Sequence, residues 1–260
     1  MANYYFLTSI FPRLELGHTP GMHFEELVFL LHERLKPKDF KAFCTLRRFV
    51  DMENLRSFLK GESLDSRGNL TSEEDFENAL SFHSSFPDYV YEFLLHYDSL
   101  ESRLKNFSSL LARFFKEEIS SSENFLKRYL IFEREWRLVM LGFRAKRLDR
   151  DLLRELQYED PSDLVVAQII AQKDSKGFEP PYGYEDLKVL FENKSGDPLA
   201  FHKSLCDYRF KRIEELESGE LFSIDKILSY MAKLTIVEKW LEMDQASGNL
   251  IIENLIKEAG

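Results

Sequence analysis

VYEFLLHYDSLESRLKNFSSLLARF at residues 90–114 and FLKRYLIFEREWRLVMLGF at residues 125–143 share one pattern. Apolar residues recur at alternating steps of three and four, the 3.5-residue spacing of helices that pack along their length. They are Val90, Phe93, Tyr97, Leu100, Leu104, Phe107, Leu111 and Phe114 in the first stretch and Phe125, Tyr129, Phe132, Trp136, Val139 and Phe143 in the second. The pattern predicts a long antiparallel helical hairpin, with one arm from Pro87 to Ile119 and the other from Ser122 to Leu148.

A second hairpin follows later in the chain, with the same helical spacing. Its predicted arms run from Leu199 to Leu216 and from Ile224 to Leu241. We predict an all-α protein of long antiparallel helical hairpins in two or three helical subdomains, because 260 residues are many for one compact helical core. The predicted subdomains are an N-terminal helical one at 1–85, a central long-hairpin one at 86–176 and a C-terminal helical-hairpin one at 177–260.

The segment from Lys176 to Tyr184 is the strongest candidate for a hinge or subdomain boundary. It contains two glycines and two prolines, which interrupt helices. By contrast, Leu138 to Phe143 in the second arm is apolar on every side. A helix that is apolar all round is buried, so we expect this one to be the central helix of the fold.

Shorter helices are predicted before the first hairpin and after the second. From their apolar spacing and from the Pro and Gly residues beside them, they run from Phe24 to Leu35, from Phe40 to Leu46 and from Val50 to Leu59. Thr71 and Glu74 have the spacing of a capping box and should begin another helix. A final short helix is expected after Ser247-Gly248.

The N-terminal segment from Tyr4 to Ile10 is rich in residues of high β propensity, and Pro12 follows it. It could be a short strand, an extended arm or a first helical turn. We favour an arm or a helical turn, since no partner strand is apparent. Its aromatic residues Tyr4, Tyr5 and Phe6 could anchor a partner protein, but we expect them to pack on the core.

Charge and composition exclude some classes of partner and favour one compartment. The formal net charge is −10, which disfavours general binding to nucleic acid. Cys44 and Cys206 are far apart and belong to no CxxC motif, as expected of free thiols in a reducing compartment. The start of the chain lacks the basic region of a secretory signal, and no apolar run is long enough to span a bilayer. We expect a cytoplasmic protein.

The motifs of catalysis and cofactor binding do not occur in this sequence. There is no HExxH, no second Glu–His pair to match Glu92 and His96, no GxSxG and no glycine-rich phosphate loop. The nearest carboxylate cluster is Glu159, Asp160 and Asp163, and we assign Asp160 to a helix N-cap before Pro161. The sequence therefore favours a protein that is not an enzyme and has no metal, cofactor or small-molecule substrate.

A basic cluster on the second arm departs from the overall acidity. It comprises Arg134, Arg137, Arg144, Lys146 and Arg147, with Arg150 just beyond. One interpretation pairs these cations with nearby acidic residues such as Glu133, Glu135, Asp149 and Asp151. The other makes the five residues a docking surface for an acidic partner protein. Contact with anionic lipid or nucleic acid is a less favoured third interpretation, and all three stay open at this point.

Both ends of the chain resemble one family of bacterial proteins. The similarity lies in NYYFLTSIFPRL at residues 3–14 and in WLEMD at residues 240–244, followed by Gly248. Members of that family have no assigned activity and are encoded among the subunits of V/A-type ATPases in chlamydiae, spirochaetes and Bacteroides-like bacteria. They are similar to the C-type subunit of the ATPase (d-type in eukaryotes), a funnel of helical subdomains that transmits torque and performs no chemistry.

This resemblance implies a non-catalytic coupling subunit between the central shaft and the membrane rotor ring of a V/A-type proton- or sodium-translocating ATPase. Such a protein would bind both parts and lie at the cytoplasmic face of the membrane through those partners, without inserting into the bilayer. The resemblance transfers no specific functional residue. The alternatives are a helical regulatory or assembly factor that acts through protein contacts and, less favoured, an enzyme on a helical scaffold.

Overall fold

The computed structural model describes residues 4–194, 196–217 and 219–259, the stretch 245–259 as backbone only. These residues form thirteen α-helices and no strand, which confirms the all-α prediction. The helices are α1 (Tyr5–Ser9), α2 (Phe24–His32), α3 (Pro37–Lys60), α4 (Glu73–Phe82), α5 (Asp88–His96), α6 (Leu100–Lys105), α7 (Phe107–Ser121), α8 (Asn124–Arg147), α9 (Leu152–Glu155), α10 (Leu164–Ile170), α11 (Glu185–Lys194), α12 (Pro198–Leu216) and α13 (Ile224–Ala259).

The contacts between residues divide the chain into two compact units. The central unit comprises residues 41–189, and the terminal unit comprises the residues up to 40 and those from 190 onward. The three subdomains predicted at 1–85, 86–176 and 177–260 follow the helical hairpins of the sequence, and that division stays a prediction.

The central unit contains the first predicted hairpin in a modified form. Helices α7 and α8 are joined by two residues and pack on each other, as the two apolar stripes predicted. The prediction of one continuous first arm from Pro87 to Ile119 was wrong, because the chain forms α5, α6 and α7 over that range.

Side chains that bond to the free backbone groups explain both interruptions. At the first one, the Ser99 hydroxyl accepts from the backbone N–H of Ser102 at 3.1 Å as an N-cap, and the Arg103 guanidinium donates to the carbonyls of Leu94 and Tyr97. At the second, the Asn106 side chain donates to the Ser102 carbonyl at 2.9 Å. Local polar side chains thus offer alternatives to the helical hydrogen bonds.

Helix α8 is the centre of this unit, as its all-round apolar sequence predicted. Buried residues occur on every side of it, and α7, α9 and α10 pack against it. Beside it lies a cluster of phenylalanine rings, in which the ring of Phe49 is 5.7 Å from that of Phe114 and 5.6 Å from that of Phe115. Such ring contacts add specific geometry to the burial of apolar area.

Gly142 lets a phenylalanine ring approach the α8 backbone. A Cβ atom at this position would lie 2.4 Å from the Phe178 ring, so any larger residue would force this buried ring to shift. The same stretch of chain is fastened by Lys146, whose ammonium donates to the carbonyls of Lys173 and Ser175. Tyr184 donates to the Glu135 carboxylate at 2.7 Å. The candidate hinge at 176–184 is therefore held to α8 just before its first residue and at its last residue.

Two predictions about the helices before the first hairpin were wrong, one for α3 and one for the start of α4. The residues predicted as separate helices at Phe40–Leu46 and Val50–Leu59 form one helix, which ends where Gly61 adopts a positive φ of 69°. The predicted capping box is also shifted by one residue, since Ser72 and Asp75 form it instead of Thr71 and Glu74. Neighbouring residues of the same chemistry competed for that role, and spacing could not separate them.

In the terminal unit, α12 and α13 form the second predicted hairpin, and α1 and α2 pack on α13. The backbone N–H of Phe24 donates to the Glu238 carboxylate at 2.8 Å, and the Phe11 ring stacks on Tyr230 at 4.4 Å. The helix break expected at Ser247-Gly248 is absent from the backbone of α13. One glycine costs a helix only about 1 kcal/mol, which is too little to end it.

Replacing Trp136 by alanine should lower the free energy of unfolding by about 3–5 kcal/mol. Trp136 is buried on α8 and donates from its indole nitrogen to Glu133, whose carboxylate is itself 1% exposed. Urea unfolding would measure the change, with Phe82→Ala as the control, because Phe82 is 75% exposed in the same unit. Equal effects of the two substitutions would show that α8 is not the centre of the core.

Glu217 should make the stability of the terminal unit depend on pH. Burial alone would raise its pKa, but hydrogen bonds from Lys226, Lys233 and Ser229 outweigh burial and lower the pKa from 4.5 to about 2. The ionised form therefore stabilises the folded state above about pH 4.5, and this stabilisation is lost as the pH falls towards 2.

Glu217→Gln should thus cost about 2–3 kcal/mol at neutral pH and progressively less between pH 4.5 and pH 2. Denaturation at a series of pH values measures this. Glu214→Gln is the control, since that carboxylate is more than half exposed and lies 3.8 Å from Lys233. A pH-independent cost for Glu217→Gln would contradict the assignment.

Candidate partner-binding site

The basic cluster predicted as a docking surface has two ends with different surroundings. At the inner end, the Arg134 guanidinium donates to Glu159 at 2.7 and 3.0 Å and to Asp163 at 2.9 Å. Both Arg134 and Glu159 are largely buried. Asp163 also caps α10, a role that the sequence had assigned to Asp160. Two of the three carboxylates noted in the sequence, those of Glu159 and Asp163, thus bind Arg134, whereas Asp160 accepts from Ser162.

Arg137 is also engaged inside the central unit. Its guanidinium lies 3.4 Å from Glu133 and 3.3 Å from Glu53, and it covers the rings of Phe49 and Trp136. These contacts favour the interpretation of Arg134 and Arg137 as members of internal ion pairs. A guanidinium that is paired on its edge and stacked on its faces has few donors left for another protein.

The outer end of the cluster lies in the last turn of α8. Arg144 and Arg147 are exposed, whereas Lys146 points its ammonium at the carbonyls of residues 173 and 175. The turn ends with Asp149 at a positive φ of 51°, and the backbone N–H of Arg150 donates to the Ala145 carbonyl. This is a Schellman cap, and it brings α9 back towards the end of α8.

The cap leaves two leucines uncovered beside the arginines. Leu148 is 58% exposed and Leu153 is 44% exposed, and Arg154 next to Leu153 is exposed as well. We name Arg144, Arg147, Leu148, Leu153 and Arg154 the basic–leucine surface. The sequence analysis missed both leucines and Arg154. The steps of three and four that join Arg144, Arg147 and Leu148 could have indicated a shared helical face.

A second exposed apolar surface lies in the terminal unit. Of the N-terminal aromatic residues, only Tyr4 packs on the core as expected, whereas Tyr5 is 61% and Phe6 is 58% exposed. Ile10, Leu221 and Phe222 are exposed as well. The Tyr5 and Phe222 rings are 4.9 Å apart. We name Tyr5, Phe6, Ile10, Leu221 and Phe222 the aromatic surface.

Tyr4 fixes this surface in place. Its hydroxyl donates to Asp39 at 2.5 Å and accepts from the backbone N–H of Lys36, while its backbone N–H donates to the Phe222 carbonyl. Burial and the hydrogen bond to Asp39 raise the pKa of Tyr4 to about 12. The Arg34 guanidinium covers the Phe6 ring at 5.1 Å. Exposed aromatic rings beside an arginine have the composition of a protein interface.

A cavity of about 520 Å³ also lies in the terminal unit, between residues 8–16, α12 and α13. The buried Tyr230 hydroxyl at its wall has no hydrogen-bond partner among the described residues, and burial raises the pKa of this tyrosine to about 12. The cations that line the cavity already pair with carboxylates, for example Lys211 with Asp207 and Lys226 with Glu217. The wall is therefore close to neutral.

Buried charged groups in the central unit serve packing. The Arg48 guanidinium lies 2.7 Å from Glu118, which also accepts from the Tyr89 hydroxyl at 2.9 Å. Burial and the nearby Glu118 carboxylate raise the pKa of Tyr89. Asp51 accepts from Asn69 and from the backbone of Leu70, although burial raises its pKa. These contacts join helices and fasten the loop before α4.

The part of the chain that the structure describes shows neither a metal-binding cluster nor a membrane-spanning helix. No group of three or more His, Cys, Asp or Glu side chains in it is arranged to hold a metal ion. None of its helices combines the length and the apolarity that crossing a bilayer requires.

Substitution of the two ends of the cluster should separate their roles. Arg134→Gln should lower the free energy of unfolding by about 3 kcal/mol, because it leaves the largely buried Glu159 without its partner. Arg144→Gln should change it by no more than about 0.5 kcal/mol, because Arg144 is exposed. Urea unfolding of both variants measures this. A larger cost for Arg144→Gln would place Arg144 in the internal network.

Comparisons with known proteins show the family of the chain. Three uncharacterized proteins from Chlamydia are similar to it along most of their length. That from Chlamydia muridarum is 31% identical over 234 residues (88% of each chain), that from Chlamydia trachomatis 28% identical over 248 residues (93% of each), and that from Chlamydia pneumoniae 31% identical over 237 residues (89% of each).

No solved structure matches the chain. The family model described as "Protein of unknown function (DUF2764)" matches residues 1–259, nearly the whole sequence. With this match and the chlamydial relatives, the chain belongs to the DUF2764 family.

Proposed function

We propose that this protein is a non-catalytic coupling subunit of a V/A-type ATPase, which links the central shaft to the membrane rotor ring. The observation that carries the proposal is that each unit has an exposed apolar surface. A protein that couples two parts needs two contact surfaces, and the basic–leucine surface and the aromatic surface supply them. Exposed apolar patches of this kind mark protein interaction sites.

Two other observations support this proposal. First, long packed helices such as α8 and α13 suit a protein that transmits force rather than one that performs chemistry. Second, the central unit commits its buried charges to ion pairs and backbone contacts, as with Arg48 and Glu118. The link to the ATPase itself comes from the resemblance at residues 3–14 and 240–244. The protein would lie at the cytoplasmic face of the membrane through its partners.

A helical regulatory or assembly factor is the second candidate, and the size of the aromatic surface favours it. If a fully exposed side chain of this size has about 200 Å² of accessible surface, the exposed fractions of the five residues of the aromatic surface add up to roughly 500 Å². A contact that buries this area on each partner reaches only about 1,000 Å² in total, which is at the low end for specific interfaces. A transient partner needs no more than this.

Affinity purification from gently solubilised membranes tests the proposal. The tagged chain should recover the catalytic-head, shaft and ring subunits of the ATPase, with about one copy per complex by mass, since a coupling protein of this kind is a fixed part of the assembly. Substoichiometric recovery would favour the regulatory factor. Recovery of the chain alone would contradict both.

The same purification tests the aromatic surface. Phe6→Ser should reduce recovery of the complex several-fold, because Phe6 is exposed beside Arg34 at this surface. Phe29→Ser is the matched control, since Phe29 is 71% exposed on α2 in the same unit and lies outside the defined surface. An equal loss for both variants would indicate non-specific stickiness.

A further inference from the structure

The basic–leucine surface joins two chemical features on one short stretch of chain. Arg147 and Leu148 lie three and four positions after Arg144, so both are neighbours of Arg144 on one face at the end of α8. After the cap, Leu153 and Arg154 continue the exposed stretch on α9. Two exposed leucines are thus bordered by three exposed arginines.

The charges around this surface are unbalanced in favour of cations. Residues 144–155 also contain Arg150, Lys146 and three carboxylates, those of Asp149, Asp151 and Glu155. Two of these carboxylates have local partners, because Asp151 caps α9 through the N–H of Leu153 and Glu155 lies 3.5 Å from Arg150. Arg144 and Arg154 therefore present positive charge beside the leucines, on a protein whose net charge is −10.

We propose that the basic–leucine surface docks an amphipathic acidic helix of a partner protein. Apolar side chains of that helix would cover Leu148 and Leu153, and its carboxylates would pair with Arg144 and Arg154. This assignment rests on the proposed function, in which the surface is one of two contact sites, and it adds the chemistry of the partner. Arginine and carboxylate form the bidentate pairs that fix the orientation of such a helix.

Charge complementarity favours this occupant over two others. A second copy docked through the same surface would place arginines against arginines across a two-fold axis. An anionic bilayer would attract the arginines, but its continuous layer of headgroups would also meet the exposed Asp149 and Asp151. A helix can place its carboxylates beside the arginines and leave the aspartates in water.

The test uses the full-length chain and a synthetic helical peptide with leucines along one face and glutamates on both flanks. Fluorescence anisotropy at about 0.05 and about 0.3 M salt should show binding that weakens as salt rises. A peptide with glutamine for every glutamate should bind at least about tenfold more weakly. Arg144→Glu with Arg154→Glu should weaken binding of the acidic peptide to a similar extent.

Leu148→Ser tests the apolar part of the surface and should weaken binding by about three- to tenfold. Its matched control is Leu164→Ser in the same unit, because Leu164 is 80% exposed at the start of α10 and should leave binding unchanged. Circular dichroism of each variant confirms that it is folded. Equal binding of the glutamate and glutamine peptides, or equal losses for the two leucine variants, would overturn the inference.

Two parallel measurements separate the remaining outcomes. Vesicles of phosphatidylcholine with phosphatidylglycerol that bind the chain through these arginines, with no peptide binding, would overturn the inference in favour of a lipid surface. A dimer lost in the arginine variants would overturn it in favour of a second copy. Peptide binding without recovery of the ATPase would support the inferred partner chemistry and contradict the proposed function. ATPase recovery that no variant of the basic–leucine surface reduces would support the proposed function and contradict the inference.

Discussion

The burial of the middle of α8, where no residue from Tyr129 to Phe143 is exposed, is the constraint on which the central unit depends. A helical stretch without a solvent face must satisfy its polar side chains within the protein. Glu133 accepts from the indole of Trp136 and pairs with Arg137. Arg134 donates to Glu159 and Asp163. Glu135 accepts from the Tyr184 hydroxyl. Cations from the middle of α8 are therefore unavailable to a partner, and the exposed arginines lie where the helix leaves the core.

The sequence was enough to predict the fold class and the second arm of the first hairpin. The spacing of apolar residues reflects which positions are buried, and burial determines both features. It was insufficient where polar side chains compete for backbone groups. Ser99 and Asn106 interrupt a regular stripe, and Ser72 replaces Thr71 at a cap. Alternative capping residues differ in free energy by only about 1 kcal/mol, and the selection depends on tertiary neighbours that the spacing of residues does not show.

The candidate site was predictable only in part for a related reason. Residue type alone identified the basic cluster, but only the contacts in space divide it into paired and exposed arginines. The same limit applies at the N-terminus, where Tyr4 is buried and its neighbours Tyr5 and Phe6 are exposed. A partner surface consists of residues that the fold leaves uncovered, and these emerge only after the core is complete.

The contact between Gly142 and the Phe178 ring has a mechanical consequence. The ring occupies a notch that exists at one position of α8, since a Cβ atom there would lie 2.4 Å from it. Sliding or rotating this segment along the helix would drive the ring against a full side chain. Together with the hydrogen bonds from Lys146, this close fit opposes sliding of the segment along α8.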